Sequence, residues 1–85
     1  MGKRYVVGVQ VTDRLKKAPD VQKILTRYGC NIKTRIGLHE ITDKFCSPKG
    51  LLILELFGKD SECNELIKKL AAVNGLNVKK MVFKG

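Results

Sequence analysis

The pattern of apolar and polar positions predicts four β-strands. The first covers residues 4–12, RYVVGVQVT, and the second covers residues 31–39. Period two places one set of side chains of each strand on a common face, here Tyr5, Val7, Val9 and Val11 in the first and Ile32, Thr34, Ile36 and Leu38 in the second. The almost continuously apolar run at 51–57, LLILELF, and the run at 76–83, LNVKKMVF, predict the third and fourth strands.

Two segments show the apolar spacing of a helix. The first follows a polar loop at 13–18, begins near Pro19, which suits a first helical turn, and ends at Gly29. Its apolar stripe is Val21, Ile24, Leu25 and Tyr28. The second is expected to be capped by Asp60 or Ser61 and to end at Gly75. Its stripe is Cys63, Leu66, Ile67, Leu70 and Val73.

The resulting order, βαββαβ, predicts an α+β fold of the ferredoxin-like type. Right-handed crossovers turn this order into an antiparallel sheet with two helices on one face and with the first and third strands in the centre. A chain of 85 residues is expected to form one domain, residues 1–85. A loop, TDKFCSPKG, is expected before the third strand because Pro48 and Gly50 are turn residues.

The third strand is apolar on both of its faces. If the helices cover Leu52, Leu54 and Leu56, period two directs Leu51, Ile53 and Phe57 to the other face. Val6 and Gly8 of the first strand extend that face. A patch of this kind on a small domain indicates a contact with another molecule. Branched aliphatic side chains suit sheet-on-sheet packing, so we expect an oligomer interface in a homo-oligomer, either a dimer or a dimer of dimers.

The net charge of +9 raises nucleic-acid binding as an alternative. A polyanion patch would use five lysines, Lys68, Lys69, Lys79, Lys80 and Lys84. The run from Lys49 to Leu56 also falls into the register of an RNA-recognition motif, but Leu51 and Ile53 stand where that motif carries base-stacking aromatic residues. A solvated lysine-rich surface is therefore the favoured interpretation.

Few residues of the sequence predict a catalytic, cofactor or metal site. There is no Ser-His-Asp set, paired-carboxylate site or glycine-rich phosphate loop, and His39 with Cys46 as a nucleophile pair lacks a third orienting group, so we expect no enzyme and no organic cofactor. His39 and Cys46 flank one loop and are candidate metal ligands, with a surface histidine and a free thiol as the alternative. No apolar run approaches the roughly 18 residues of a membrane span. The cytoplasm is the expected compartment.

Four segments carry a resemblance to a known family. RYVVGVQVTDR, TRIGLHEI, CSPKGLLILELFGKD and NVKKMVF resemble the family of iron-only hydrogenase system regulators. That family is ACT-like and is similar in fold to the C-terminal domain of nickel-responsive repressors. The resemblance implies a small homo-oligomeric regulator or ligand sensor with a small-molecule or metal effector.

Two departures limit what that resemblance implies about a ligand. The loop at 12–18 lacks the glycine that amino-acid-binding ACT domains commonly carry there. Only His39 and Cys46 stand where the nickel-responsive repressors hold several metal ligands. The residues that would bind an effector are therefore unassigned.

Overall fold

The predicted βαββαβ order is confirmed. A computed structural model describes residues 3–11, 14–41 and 46–84. The elements are β1 (Arg4–Val11), α1 (Arg14–Arg27), a 3-10 turn (Gly29–Asn31), β2 (Ile32–Ile41), β3 (Cys46–Leu56), α2 (Asp60–Ala71) and β4 (Leu76–Phe83). The strands form one antiparallel sheet in the order β2-β3-β1-β4, with β1 and β3 in the centre as expected.

The hydrophobic core lies between one face of this sheet and the two helices. All four apolar residues predicted for the inner face of β1 are buried, as are the three alternating leucines of β3, Leu52, Leu54 and Leu56. The helical stripes supply the opposite wall of the core, with Val21, Leu25, Tyr28, Cys63, Leu66 and Leu70 buried. Ile24 and Ile67 pack against this cluster. The helices are also joined by the Tyr28 hydroxyl, which donates to Glu65 Oε1 over 2.7 Å.

Helix α1 begins earlier than the proline predicted. It starts at Arg14, so most of the expected loop at 13–18 is helical and Pro19 lies inside the helix. Proline has no N–H to donate and its ring crowds the preceding turn, but Pro19 is only the sixth helical residue, just beyond the turn whose N–H groups have no helical partner. The segment RLKKA before it consists of good helix formers, which favours the extra turn. The helix ends at Arg27, and Gly29 begins the 3-10 turn.

Strand β3 also begins earlier than expected. It starts at Cys46 and includes Pro48 and Gly50, both of which were predicted to lie in a loop. Among the described residues, the β1–β3 ladder runs to the pair Val11–Gly50, and Cys46 at the start of β3 pairs with Ile41 of β2. A proline is tolerated within a strand where the side that its missing N–H would face needs no donor. Residues 42–45 lie outside the described residues.

The expected cap of α2 is wrong. Asp60 and Ser61 are both inside the helix, and Lys59 occupies the capping position without a side-chain hydrogen bond. Asp60 and Glu62 instead lie in the first turn, where their negative charges interact favourably with the positive end of the helix dipole. The helix ends at Ala71, four residues before Gly75, which adopts a positive φ of 92° in the turn that leads into β4.

A bulge in β2 changes the face on which its apolar residues lie. Ile32 is opposite Leu56, but Thr34 is opposite Glu55, so the register shifts by one residue between them. Such a shift moves all later side chains to the other face. Ile32 therefore packs against the core, whereas Thr34 and Ile36 lie on the face away from the helices. The prediction that Ile32 shares one face with Thr34 and Ile36 is wrong for this reason.

Candidate functional site

The face of the sheet away from the helices, which we call the open face, is largely apolar. Its central rows come from β1 and β3, where Val6 is opposite Glu55, Gly8 is opposite Ile53 and Gln10 is opposite Leu51. The outer strands add apolar side chains to these rows. The exposed ones on the open face are Ile36 (48%), Leu51 (39%), Met81 (57%) and Phe83 (50%).

Of the three residues predicted for the interface, the strand register places Leu51 and Ile53 on the open face. Leu51 is exposed and Ile53 is half-buried. Phe57 follows the last residue of β3, is 49% exposed, and donates its backbone N–H to Asn31 O over 2.9 Å. Ile36 and Met81 were not predicted to be part of this face. The bulge that directs Ile36 there leaves no signal in the alternating pattern.

Gly8 makes a notch in the middle of the open face. A Cβ atom added to Gly8 would have no atom within 4 Å apart from its two sequence neighbours, so no steric contact among the described residues requires a glycine there. Glycine in a strand interior costs about 0.5–1 kcal/mol relative to alanine. Such a residue often marks a place where another molecule approaches the backbone closely. The notch is bordered by Ile53 on β3 and Lys79 on β4.

One polar cluster crosses the open face. Glu55 accepts a hydrogen bond from the Thr34 hydroxyl at Oε1 over 3.1 Å. Its other oxygen, Oε2, lies 3.2 Å from Arg4 Nε. The three residues come from β3, β2 and β1, so one carboxylate joins three adjacent strands. Glu55 is thus held on both oxygens instead of extending into solvent.

The two candidate metal ligands lie at one end of the molecule. His39 is in β2 opposite Gly50, and Cys46 is the first residue of β3, opposite Ile41. Both belong to the part of the β2–β3 ribbon at or beyond Gly50, the last residue of β3 whose pairing with β1 falls among the described residues. Two donors do not complete a metal site. Among the described residues there is no group of three or more histidine, cysteine, aspartate or glutamate side chains that could hold a metal ion.

The five lysines of the polyanion hypothesis do not share one surface. Lys79 is opposite Gly8 on the open face, whereas Lys80 is opposite Val7 and therefore lies on the helix side. Lys80 Nζ donates to Asn64 Oδ1 of α2 over 3.4 Å. Lys68 and Lys69 lie in the last turn of the same helix. The charge is consequently spread over both sides of the sheet.

The cysteines differ in their surroundings. Cys63 is fully buried between α2 and the sheet, and its Sγ lies 3.4 Å from Phe57 O. Burial, followed by the nearby charges of Asp60 and Glu62, raises the pKa of this thiol. Cys30 is exposed in the 3-10 turn. Cys63 is therefore a core residue and has no feature of a reactive thiol.

No described helix has both the length and the apolar character needed to cross a membrane. No protein-family model matches the sequence, and the search of curated proteins gives no match. The resemblance to iron-only hydrogenase system regulators is therefore not confirmed by sequence.

Solved structures do match. The uncharacterized protein TM1266 from Thermotoga maritima superimposes with a TM-score of 0.83 and 23% identity, covering 99% of this chain and all of that one. A formyltetrahydrofolate deformylase from Pseudomonas putida KT2440 gives a TM-score of 0.55 and 12% identity, over 92% of this chain and 28% of that one. CPII from Thiomonas intermedia K12, bound to ADP, AMP and acetate, gives a TM-score of 0.51 and 12% identity, over 98% of this chain and 90% of that one.

Identities this low show the fold and nothing finer. The topology and these structural likenesses together establish a ferredoxin-like, ACT-like βαββαβ sandwich.

Proposed function

We propose that this protein is a small, non-enzymatic regulatory or ligand-sensing module that acts as a homo-oligomer, a dimer or a dimer of dimers. The observation that carries the proposal is the apolar open face, which the helices leave uncovered. The cytoplasm is the proposed compartment, and the sequence resemblance supports a link to iron-only hydrogenase as the regulated system.

The energetics of the open face favour a second copy as its cover. Burying an apolar side chain of this size contributes roughly 1.5–3 kcal/mol. Two-fold symmetry presents the same patch on both partners, so each apolar side chain has apolar surface to meet. Ile53 and Leu51 project beside the notch at Gly8, which gives the face both knobs and a hole. Two such faces can interdigitate as the inner faces of a β-sandwich do.

The edges of the sheet are less suited to pairing between copies. The outer strands are β2 and β4, and each carries two cationic residues. These are Lys33 and Arg35 in β2 and the consecutive Lys79 and Lys80 in β4. Charged side chains on an edge strand oppose the approach of a like-charged edge. This charge pattern supports packing through the face in preference to extension of the sheet.

A metal effector is proposed for the end of the β2–β3 ribbon. The backbone register supports it, since His39 and Cys46 belong to the same end of that ribbon. Imidazole nitrogen and thiolate are ligands suited to nickel, zinc and iron. Two donors from one copy would need further ligands from a partner chain.

Nucleic-acid binding is the less favoured alternative. The +9 charge supports it. The separation of Lys79 from Lys80 and the aliphatic residues at Leu51 and Ile53 weigh against it, because base stacking requires flat aromatic surfaces.

Sedimentation velocity at micromolar concentration tests the proposed function. The wild-type chain should sediment as a dimer or a tetramer. Ile53→Lys should dissociate the assembly or precipitate it, whereas Lys69→Glu, a charge change on α2 away from the open face, should leave the mass unchanged. A wild-type monomer at this concentration would refute the proposed assembly.

A further inference from the structure

A shallow depression lies at one end of the open face. It has a volume of 420 Å³ and is lined by Arg4, Val6, Glu55, Phe83 and Lys84. Arg4 is opposite Phe83 on β4, and Val6 is opposite Glu55 on β3, so the depression spans three adjacent strands. Glu55 lies near the end of β3, whereas Cys46 is the first residue of that strand, so the depression is far along β3 from the candidate metal ligands.

Glu55 positions the guanidinium of Arg4 in this depression. Arg4 Nε lies 3.2 Å from Glu55 Oε2, and the second oxygen of Glu55 is held by the Thr34 hydroxyl over 3.1 Å. The guanidinium has further N–H donors beyond Nε. The Arg4 side chain is 63% exposed, so much of it is open to solvent while its orientation is restrained by the carboxylate. A restrained cation loses less conformational entropy when it binds an anion.

The remaining lining provides a second cation and an apolar surface. Lys84 is exposed and makes no ion pair within the described part of the chain. Val6 lies on the sheet, half-buried, and the Phe83 side chain is half exposed beside it. An aromatic ring that is open to solvent next to an aliphatic side chain suits a planar apolar group.

The charges define the kind of ligand. Arg4 and Lys84 are cationic and Glu55 is anionic, so the lining carries one net positive charge. We propose that this depression binds a small organic monoanion with a planar apolar body, of the aryl carboxylate class. The carboxylate meets Arg4 and Lys84, and the ring packs on Phe83 and Val6. Glu55 disfavours ligands with two negative charges.

This inference deepens the proposed function, because it names the site and the chemical class of an effector for that module. The depression lies on the same face as the proposed contact between copies. A partner sheet packed over Ile53 would border the depression, so an occupied site would favour one state of assembly over another.

Benzoate is a suitable probe. Backbone amide shifts of the ¹⁵N-labelled full chain should saturate with benzoate at the five lining residues and leave α1 unaffected. Lys84→Gln should weaken the dissociation constant about fivefold and Arg4→Gln about tenfold, because each removes a charged hydrogen-bond donor. Lys69→Gln is the matched control, since it removes the same charge from α2, and it should bind benzoate as the wild type does.

The absence of saturable shifts at millimolar benzoate would overturn the inference, as would an equal loss of binding in Lys69→Gln and Lys84→Gln. Sedimentation of the same samples separates the two proposals. An intact oligomer without a benzoate site overturns this inference alone. A monomer with saturable shifts at the lining residues supports the site and overturns the proposed assembly.

Discussion

Gly8 and Ile53 are direct partners across the central β1–β3 pair, and the glycine leaves an unfilled position beside the isoleucine on the open face. A Cβ atom added to Gly8 would have no atom of the described chain within 4 Å, its two sequence neighbours aside, so the single copy has open space there. If a second copy fills that space, a larger side chain at Gly8 would block it. A substitution at Gly8 therefore tests the proposed assembly separately from the fold of the single chain.

Gly8→Val should leave the chain folded and abolish the oligomer. Valine favours a strand over glycine, so the isolated fold should gain up to about 1 kcal/mol while the partner loses the notch. Sedimentation equilibrium gives the mass and circular dichroism reports the fold. Gly37→Val is the matched control, because Gly37 also has free space but is opposite Leu52, away from the open face. A wild-type mass for Gly8→Val would mean that no partner uses the notch.

Tyr28→Phe should lower the midpoint temperature of unfolding. It should also make the decrease of that temperature with rising alkaline pH smaller than in the wild type. The hydrogen bond to Glu65, followed by burial, raises the pKa of Tyr28 above its usual value of 10.0. A folded pKa above the unfolded one means that this stabilisation is complete below about pH 10 and is lost as pH rises through the folded pKa. Thermal unfolding at a series of pH values from neutral to alkaline measures the effect.

This reduction of the alkaline decrease should be partial, because burial, followed by Asp60, also raises the pKa of Tyr5. A Tyr28→Phe variant with the same midpoint and the same alkaline fall as the wild type would show that the Tyr28–Glu65 bond does not stabilise the fold.

Cys30 and Cys63 should differ in their reaction with iodoacetamide. Cys30 is exposed, whereas Cys63 is buried and burial raises its pKa, so its thiolate is scarce at neutral pH. Peptide mass spectrometry after brief native labelling should find modified Cys30 and unmodified Cys63. In denaturant both should react. Equal native rates would show that α2 opens readily.

The metal proposal makes a prediction about a double variant. Calorimetric titration with nickel, zinc and ferrous iron should show binding by the wild type that is tighter than that of the buffer. His39→Ala combined with Cys46→Ser should remove it, because both proposed donors are lost. Cys30→Ser is the control, since Cys30 lies in the 3-10 turn before β2. Binding that survives in the double variant would exclude these two residues as ligands.

Association with nucleic acid should be weak and should disappear with salt. A charge of +9 attracts phosphates without sequence preference, and such binding weakens steeply as counterions compete. Gel shifts with mixed-sequence DNA and RNA should show complexes only at low salt. Sequence-selective binding that persists at physiological salt would favour the nucleic-acid alternative over a regulatory homo-oligomer.

Local pattern was enough for the core but not for the element boundaries. Tyr5, Val7 and Leu54 are buried as period two predicts, because a strand against a helical layer must alternate. Pro19 and Pro48 each predict a boundary that the structure does not have, since Pro19 lies inside α1 and Pro48 lies inside β3. The cost of a proline depends on whether its missing N–H would have had a partner and on how strongly the flanking residues favour the element, and the partner is set by neighbouring turns and strands.

The sequence by itself determined the βαββαβ order, the two helical stripes and the apolar character of both faces of β3, because these follow from the periods of a strand and a helix. Only the tertiary structure decided which further residues join Leu51 and Ile53 on the open face. The bulge after Ile32 moved Ile36 onto it, and strand pairing brought Arg4, Glu55 and Phe83 together from three separate strands. Register and bulges depend on contacts between residues far apart in the chain, and no local period records them.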